Sequence, residues 1–416
     1  MGVGPTLEAA GKALHEGRPS EALRTLQKVD ELEPDNPWLW FYRGLAHHRL
    51  EDYHRAVACF DKTLAILKGL DDPYSRQLAA SAIDFQRRAR RKILSLSLET
   101  GLAYDSNVTF LGGGTAGGLG LITGRGDGVF ATRFDAMFAP VSNALERLEF
   151  KTRLNHSWHF SIEDFDVQDY GMSVRYTRKL SDRWKASLEY GYDLTYLGND
   201  PFSSIHVLRP GLSYKWQNPP DFTLAADETF VFYEFGGREF LFETIPAFDR
   251  DGTAHSVGVF QSLRLRPIPR HVWEWQWLLG YRFDSIFTDG TEFDRRTHNF
   301  LLGLQIPLID LAVRDRYRYL LFPGRELTFR YNAQFQIANY RNASIIDADF
   351  DRRSDYIVSH SFALSQTLMD DPDYGELVLR AIIAWTDANS NVTSADRATP
   401  FTYDKMIYGF QLRWTW

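Results

Sequence analysis

The sequence predicts an all-α N-terminal domain of helical repeats followed by an antiparallel transmembrane β-barrel of about fourteen strands. Apolar residues recur with helical spacing up to about residue 92, and from Ile93 onward they recur at every second position. The closing stretch, Tyr403 to Trp416, alternates apolar and polar side chains most clearly. We therefore predict a helical domain over residues 1–92 and a barrel over residues 93–416.

Length and composition limit the functions that the chain can have. A chain of 416 residues is long enough for a large barrel with an appendage. The net charge of -7, without a basic cluster to offset it, argues against a nucleic-acid partner. Aromatic residues make up 15% of the chain, which suits the girdles of a membrane barrel. No run of about 18 apolar residues occurs, so the sequence excludes a membrane-spanning helix but not a barrel.

The N-terminal segment and the single cysteine add two expectations. Cys59 has no second cysteine for a disulfide and no neighbours for a metal site, so we expect a small buried residue of a helix. The first residues, MGVGPTLEAAGK, lack the apolar core of a signal peptide. An outer-membrane location therefore requires that a leader has been removed or that the true start lies upstream.

Residues 1 to 66 contain a repeat of 34 residues, which is the spacing between Ala22 and Ala56 and between Leu26 and Phe60. This part resembles the tetratricopeptide repeat family. The matching positions are Ala10, Leu14, Ala22, Leu26 and Pro34 in the first unit and Trp40, Gly44, Leu50, Tyr53, Ala56, Phe60 and Leu64 in the second. The resemblance implies that the small residues lie where the two helices of a unit touch. Arg43 and His47 depart from the pattern, because these positions are usually apolar or aromatic in the family.

A further helix is predicted over residues 72–92, starting at an Asp-Pro pair. Only two complete units precede it, whereas about three are normally needed for a stable stack. The helix ends in a basic run: Arg87, Arg88, Arg90, Arg91 and Lys92. This run is either a solvated helix end favoured by the helix dipole or a charged collar at a membrane surface.

The alternation after residue 92 predicts fourteen strands. It is clear where Leu148 and Phe150 alternate with Glu149 and Lys151, which gives one lipid-like face and one charged face. The predicted strands are residues 93–105, 128–140, 146–161, 169–180, 183–197, 203–216, 222–235, 253–266, 271–287, 295–307, 325–340, 354–368, 374–387 and 402–416.

The connections indicate the orientation of the barrel. Those after odd strands are mostly long, and those after even strands are mostly short. Long loops outside and short turns in the periplasm place both ends of the barrel, and hence the helical domain, in the periplasm. Residues 308–324 are an exception, because they form a long connection on the short-turn side. This stretch is either a periplasmic helix or an inward plug.

The final strand resembles the C-terminal signal strand of bacterial outer-membrane barrels, which the barrel-assembly machinery reads. Its apolar face suits contact with outer-membrane lipid, with Trp and Tyr at the headgroup level. The residues that carry the resemblance are Tyr408, Gly409, Phe410, Leu412, Trp414 and Trp416.

The sequence carries no pattern that predicts an enzyme, a cofactor or a metal site. His47 and His48 are adjacent on a helix and point in different directions. On a strand, His360 faces away from Ser359 and Ser361. The glycines of residues 112–120 lack the Lys-Ser/Thr of a phosphate-binding loop, and the acidic residues of 249–251 indicate a calcium site only weakly.

Charged residues on the polar faces of the strands are candidates for the lumen. They either line a pore or form a network that braces the barrel wall. The candidates are Lys151, Arg153, Arg175, Lys185, Glu189, Asp193, Arg264, Arg282, Arg330, Arg380 and Arg413.

Tetratricopeptide repeats before a fourteen-strand barrel resemble the surface lipoprotein assembly modifier family. The stretch Tyr104-Asp105-Ser106-Asn107 resembles a motif that often closes the first strand of such proteins. The resemblance implies secretion of a protein or lipoprotein client through the barrel, with the repeats as a docking surface. The small number of repeats departs from the family. One alternative is an exopolysaccharide export porin, and another is a non-conducting barrel that anchors a periplasmic interaction domain.

Overall fold

A computed structural model describes residues 3–108, 125–217, 223–241, 246–265, 274–309, 326–371, 374–394 and 399–416. Five helices precede fourteen strands in this part of the chain. The helices are α1 (Val3–His15), α2 (Pro19–Leu32), α3 (Pro37–Arg49), α4 (Tyr53–Leu67) and α5 (Pro73–Ile93). The strands are β1 (Leu94–Asp105), β2 (Asp127–Ser142), β3 (Glu146–His159), β4 (Val167–Lys179), β5 (Trp184–Leu197), β6 (Asp200–Lys215), β7 (Leu224–Phe240), β8 (Gly252–Leu265), β9 (Trp275–Thr288), β10 (Arg295–Ile309), β11 (Leu327–Ala343), β12 (Arg352–Asp371), β13 (Gly375–Ser390) and β14 (Tyr403–Thr415).

The strands form one closed barrel. Each strand pairs antiparallel with its sequence neighbours, and β1 pairs with β14 to close the sheet. At this seam Leu96 and Trp416 exchange two backbone hydrogen bonds of 2.9 and 3.0 Å. The predicted fold class, helices followed by a barrel of fourteen antiparallel strands, is therefore confirmed.

The strand bounds differ most at β7. The sequence predicts that this strand ends at Phe235 and that a long connection follows. In the structure β7 continues to Phe240, and Gly237 pairs with His206 of β6 and with Thr253 of β8. Glycine is tolerated here because backbone pairing with two neighbouring strands holds the chain extended.

The two faces of the wall differ in chemistry. On β8, Val257 and Val259 face outward and are exposed, while Ser256 faces inward and is buried. The outer face carries exposed Leu, Val, Phe, Tyr and Trp side chains around the barrel, and forms a continuous apolar belt. The inner face carries the charged residues described below.

We call the two ends of the barrel the helix rim and the loop rim. The helix rim is where α5 runs directly into β1, at Ile93 and Leu94. The loop rim lies at the other ends of the strands, where β7 and β8 are joined by residues 241–251. Of the predicted long connection on the helix rim, Leu308 belongs to β10, and residues 310–324 lie outside the described residues.

The helices form two hairpins, α1 with α2 and α3 with α4, and α5 packs on α4. The side chains of Asn36, Asp52 and Asp72 accept hydrogen bonds from the first backbone N–H groups of α3, α4 and α5, which explains where these helices start. Among the described residues, no helix is both long and apolar enough to cross a membrane.

Candidate functional site

The turn between α3 and α4 contacts the inner wall of the barrel at the helix rim. The Glu51 carboxylate lies 2.8 and 2.9 Å from Lys185 Nζ of β5. The Glu51 carbonyl accepts a hydrogen bond of 2.9 Å from Ser142 Oγ of β2. His54 Nε2 lies 3.1 Å from the carbonyl oxygen of Ala139. The turn therefore covers the inner edge of the rim from β2 to β5, and Lys185, a predicted lumen residue, binds it.

Helix α5 adds a second set of contacts with the barrel. Arg147 of β3 donates a hydrogen bond of 2.8 Å to the carbonyl of Lys92, which satisfies a carbonyl at the helix C-terminus. Arg87 binds Asp370 at 2.8 Å, and Arg91 lies 3.9 Å from Glu376. The basic run is therefore neither simply solvated nor a free collar, because two of its arginines pair with acidic residues on the barrel.

Several predicted lumen residues meet around one cavity of about 370 Å³ on the wall from β1 to β6. Arg153 lies 2.8 Å from Asp193 and 3.1 Å from Asp169. Glu189 accepts a hydrogen bond of 2.8 Å from Arg175 Nε and lies 3.5 Å from Arg209. The cavity is open because small residues line it beside these charges: Ser95, Ser97, Gly171, Ser173 and Gly191.

A second cluster continues from this cavity toward β9. Glu234 accepts a hydrogen bond of 2.7 Å from Arg209 Nε and lies 3.1 Å from Arg282. Arg282 also lies 2.5 Å from Asp284 and donates to Ser256 Oγ at 3.0 Å. Sequence reasoning missed Arg209 and Glu234. The polar positions of strands 203–216 and 222–235 were the signal that could have identified them.

The remaining predicted lumen residues also lie on the inner wall, where Lys151 lines the same cavity. Arg264 lies 2.6 Å from Asp227 and 3.2 Å from Glu274. The other contacts are Arg380 to Glu99 at 3.3 Å, Arg330 to Gln305 at 2.8 Å, Lys151 to Glu149 at 3.7 Å, and the backbone pairing of Arg413 with Glu99. Each of these pairs joins residues of the same strand, of adjacent strands, or of two strands with a single strand between them. The network therefore follows the wall, and none of these pairs bridges the lumen.

An aromatic patch lies on the same inner wall. The planes of the Phe230, Phe232 and Phe260 rings are nearly parallel, with centroids 5.7 and 5.8 Å apart and interplanar angles of 18° and 9°. Each ring lies over a glycine of a neighbouring strand, where a Cβ would clash with it: Gly211, Gly258 and Gly280. Phe232 is buried beneath the Arg209 guanidinium, whereas Phe230 and Phe260 are partly exposed. Sequence reasoning did not identify this patch.

The repeat positions form the core of the helical domain. Ala10, Ala22, Leu26, Ala56 and Phe60 are fully buried, and a Cβ at Gly44 would clash with the Phe60 ring. Tyr53 is also buried. Trp40 donates a hydrogen bond of 2.7 Å to the carbonyl of Pro34. These residues therefore form the packed interior of the helical domain.

A cleft of about 350 Å³ opens between the helices. It is lined by Trp40, Arg43, His47, Arg55 and Cys59 among others. Burial raises the pKa of the Cys59 thiol to about 11, so the thiol stays protonated at neutral pH. Burial also lowers the pKa of His47. The cleft is therefore basic through Arg43 and Arg55 and carries no thiolate.

The C-terminal strand closes the barrel with its apolar face outward. Tyr408, Phe410, Leu412, Trp414 and Trp416 are exposed on the apolar belt, and Phe410 is 64% exposed. Gly409 faces the seam, where a Cβ would clash with the carbonyl oxygen of Leu102. A glycine is required at this position by the close approach of β1.

The structure also locates the residues considered for catalysis. His360 belongs to the outer face, whereas Ser359 Oγ lies 3.0 Å from Thr386 Oγ1. Asp249 accepts a hydrogen bond of 2.9 Å from the Asp251 backbone N–H, so it serves the loop conformation. No group of three metal-ligating side chains occurs within the described ranges. Residues 112–120 lie outside those ranges.

No family model and no curated protein matches the sequence. Among solved structures, CdiB from Acinetobacter baumannii aligns with a TM-score of 0.38 and 7% identity, over 77% of this chain and 60% of that one. A bacterial polysaccharide outer membrane secretin aligns with a TM-score of 0.39 and 9% identity, over 78% and 98%. Pseudomonas aeruginosa OpdL gives a TM-score of 0.36 and 9% identity, over 78% and 98%. At these values no function is transferred from these barrels to this chain.

Proposed function

We propose that the chain is a non-catalytic export conduit of the bacterial outer membrane. The apolar belt suits lipid acyl chains, because a soluble protein rarely exposes a continuous apolar surface of this extent. The charged inner wall suits a water-filled passage. The helix rim faces the periplasm, and the loop rim faces the cell exterior. The terminal strand, β14, is the segment that the barrel-assembly machinery reads.

The contact of the helical domain with the inner edge of the helix rim carries this proposal. Glu51 binds Lys185 and Ser142 on the inner wall, so the helices stand at the entrance to the lumen. A client that reaches the barrel from the periplasm passes the cleft lined by Trp40, Arg43 and Arg55. The domain is therefore placed to receive a client and to admit it to the pore.

The leading client is a protein or lipoprotein. The basic cleft of the helical domain offers Arg55, whose side chain is 74% exposed, and Trp40 for binding a polypeptide with acidic and apolar residues. Helical repeats commonly present such a concave surface to a peptide.

Export of a polysaccharide is a second candidate, favoured by the aromatic patch on the inner wall. Aromatic side chains suit the apolar faces of sugar rings, and the guanidinium of Arg209 lies over the Phe232 ring with its carbon 5.6 Å from the centroid. In this case the lumen, rather than the helical cleft, recognises the client.

Deleting the chain from its host and comparing surface proteins with surface polysaccharide would test both candidates. Loss of a protein from the surface supports the leading proposal, and loss of polysaccharide supports the second. Complementation then separates the sites. Arg55→Glu should fail to restore protein export, whereas Phe232→Ala combined with Phe260→Ala should fail to restore polysaccharide export.

Single-channel recording in planar bilayers tests whether the barrel is a conduit at all. A conduit should open, at least when the contacts at the helix rim are broken. If neither the native chain nor a Glu51→Lys variant ever conducts, the barrel serves as an anchor and the export proposal is wrong.

A further inference from the structure

Four tyrosine–histidine pairs lie on the apolar belt, one on each of four consecutive hairpins. In each pair the tyrosine hydroxyl lies within hydrogen-bond distance of the histidine Nδ1. The pairs are Tyr190 with His206 at 2.8 Å, Tyr233 with His255 at 2.6 Å, Tyr281 with His298 at 2.9 Å, and Tyr331 with His360 at 2.8 Å. The repetition around β5 to β12 indicates one surface feature rather than four separate contacts.

The four pairs share one register. Each tyrosine is on the odd strand of its hairpin and pairs through the backbone with an apolar residue of the even strand. Each histidine is on the even strand, two residues nearer the loop rim than that apolar residue. The backbone partners of the tyrosines are Leu208, Val257, Phe300 and Phe362.

The pairs also lie at a similar height. Gly237 of β7 pairs with His206 on one side and with Thr253 on the other, so we call these two residues level. His255 lies two residues further from the loop rim than Thr253. His255 is level with Arg296, and His298 again lies two residues further. Strands in a barrel are tilted, so a steady step of this kind keeps successive residues at one height above the rim. The step to His360 is larger, at four residues, because His298 is level with Tyr356.

On β8 and β10 this height is the boundary of the apolar belt, whereas on β11 the exposed Phe335 and Ile337 lie nearer the loop rim than Tyr331. On β8, the outward residues below His255 are Val257 and Val259, and the outward residue above it is Thr253. On β10, Phe300 lies below His298 and the exposed Arg296 lies above it. The imidazoles of His255 and His298 therefore lie where hydrocarbon gives way to headgroups in a membrane of ordinary thickness.

The chemistry of the pair suits an anionic headgroup. A polar group facing lipid must find a hydrogen-bond partner, and the tyrosine satisfies only Nδ1. Nε2 remains to bind a group outside the protein. When the imidazole is protonated, Nδ1–H donates to the tyrosine oxygen, so Nε2–H and the tyrosine O–H are both available as donors. A phosphate can accept both, and Arg296 supplies a further cation beside His298.

We infer that the four pairs form a row of binding sites for the phosphate of an anionic lipid headgroup. The side of the membrane on which this row lies rests on the proposed function: in that orientation the row lies in the outer leaflet, and its lipid is a phosphorylated glycolipid. The row would fix the depth of the barrel in the membrane and collect this lipid around β5 to β12.

The full-length chain would be reconstituted into phosphatidylcholine vesicles that contain either diphosphorylated lipid A or its dephosphorylated form. After gentle extraction, native mass spectrometry counts the lipid molecules that remain bound. The native chain should retain the phosphorylated lipid about tenfold better, which corresponds to about 1.4 kcal/mol. Replacing all four histidines by phenylalanine should remove this preference, and Tyr→Phe at the four tyrosines should reduce it.

A matched control keeps the pairs and adds phenylalanine elsewhere on the same strands: L212F, V259F, L304F and L364F. This control should keep the preference, and added inorganic phosphate should not compete with the lipid. Equal retention of the two lipids by the native chain would overturn the inference, and so would an unchanged preference in the histidine variant. The readout does not depend on export, so failure of the export proposal would leave it interpretable.

Discussion

At the residue scale, the junction between the helices and the barrel depends on a few partly exposed polar contacts. The side chains of Lys185 and Glu51 are 35% and 49% exposed, and ion pairs of this kind contribute roughly 0.2 to 1 kcal/mol each. The Arg87 and Arg91 pairs are of the same type. The junction is therefore weak enough to open and close without unfolding either part.

Reversing the charge of Glu51 should loosen this junction. Glu51→Lys places two lysines together, and we expect more frequent openings in single-channel records at low salt. Lys185→Glu alone should act in the same direction. The double exchange, E51K with K185E, should restore the native pattern because the opposite charges are regained. If the double variant opens as often as the sum of the two single effects predicts, the Glu51–Lys185 pair does not hold the junction.

Gly409 allows a second residue-scale prediction. Gly409→Ala should cost about 1 to 3 kcal/mol, because its Cβ meets the backbone of β1 at the seam. Gly237→Ala is the matched control, since no atom lies within 4 Å of the Cβ it would add. Urea unfolding followed by the gel shift between folded and unfolded barrels measures both. Equal midpoints for the two variants would contradict the close approach.

At the scale of elements, periodicity was enough to predict the helices and the strands, because each element buries or exposes one face. Periodicity could not predict which residues of different elements pair with each other. The pairing of Arg209 with Glu234 could not be predicted, because Glu234 lies 25 residues away on another strand and only the register brings the two together. The contact of Glu51 with Lys185 likewise depends on how a helical turn meets a rim, for which no local pattern exists.

The helical domain should lose stability as the pH falls. Burial is the main cause that lowers the pKa of His48, and Arg88 and Lys92 lower it further. The unfolded chain therefore binds the proton more readily than the folded domain. The contribution of neutral His48 is complete above about pH 6.5 and is lost as the pH falls toward the lowered folded-state pKa. Circular dichroism melts at 222 nm should show a lower helical midpoint at pH 5 than at pH 7.5.

His48→Gln is the matched variant for this prediction, because glutamine stays neutral throughout the range. Its midpoint should depend less on pH than that of the native chain. His47 also has a pKa lowered by burial, so a residual dependence should remain until it is replaced as well. An unchanged slope in the double variant would assign the pH effect to other groups.

At the scale of the whole molecule, the two parts differ in how they are held together. Every strand pairs with two neighbours, whereas the helical domain has two small apolar clusters. The helices should therefore open locally more often than the barrel does.

Limited trypsin digestion of the reconstituted protein should reflect this difference. Cleavage should occur first in α5, which carries exposed Arg88 and Arg90, and leave a resistant barrel fragment. Gel electrophoresis with N-terminal sequencing identifies the cut. Degradation of the barrel as fast as the helices would contradict the closed sheet. In sealed vesicles, protection of α5 from added trypsin would show that α5 lies on the inner side of the membrane.

The direct passage of α5 into β1 has a mechanical consequence. No linker separates Ile93 from Leu94, and β1 is one of the two strands at the seam with β14. That seam is the one strand pairing in the cylinder whose partners are not consecutive in the chain. Tension on the helices, from a bound cargo for example, is therefore transmitted along the backbone to the place where the wall is joined by hydrogen bonds and side-chain packing alone.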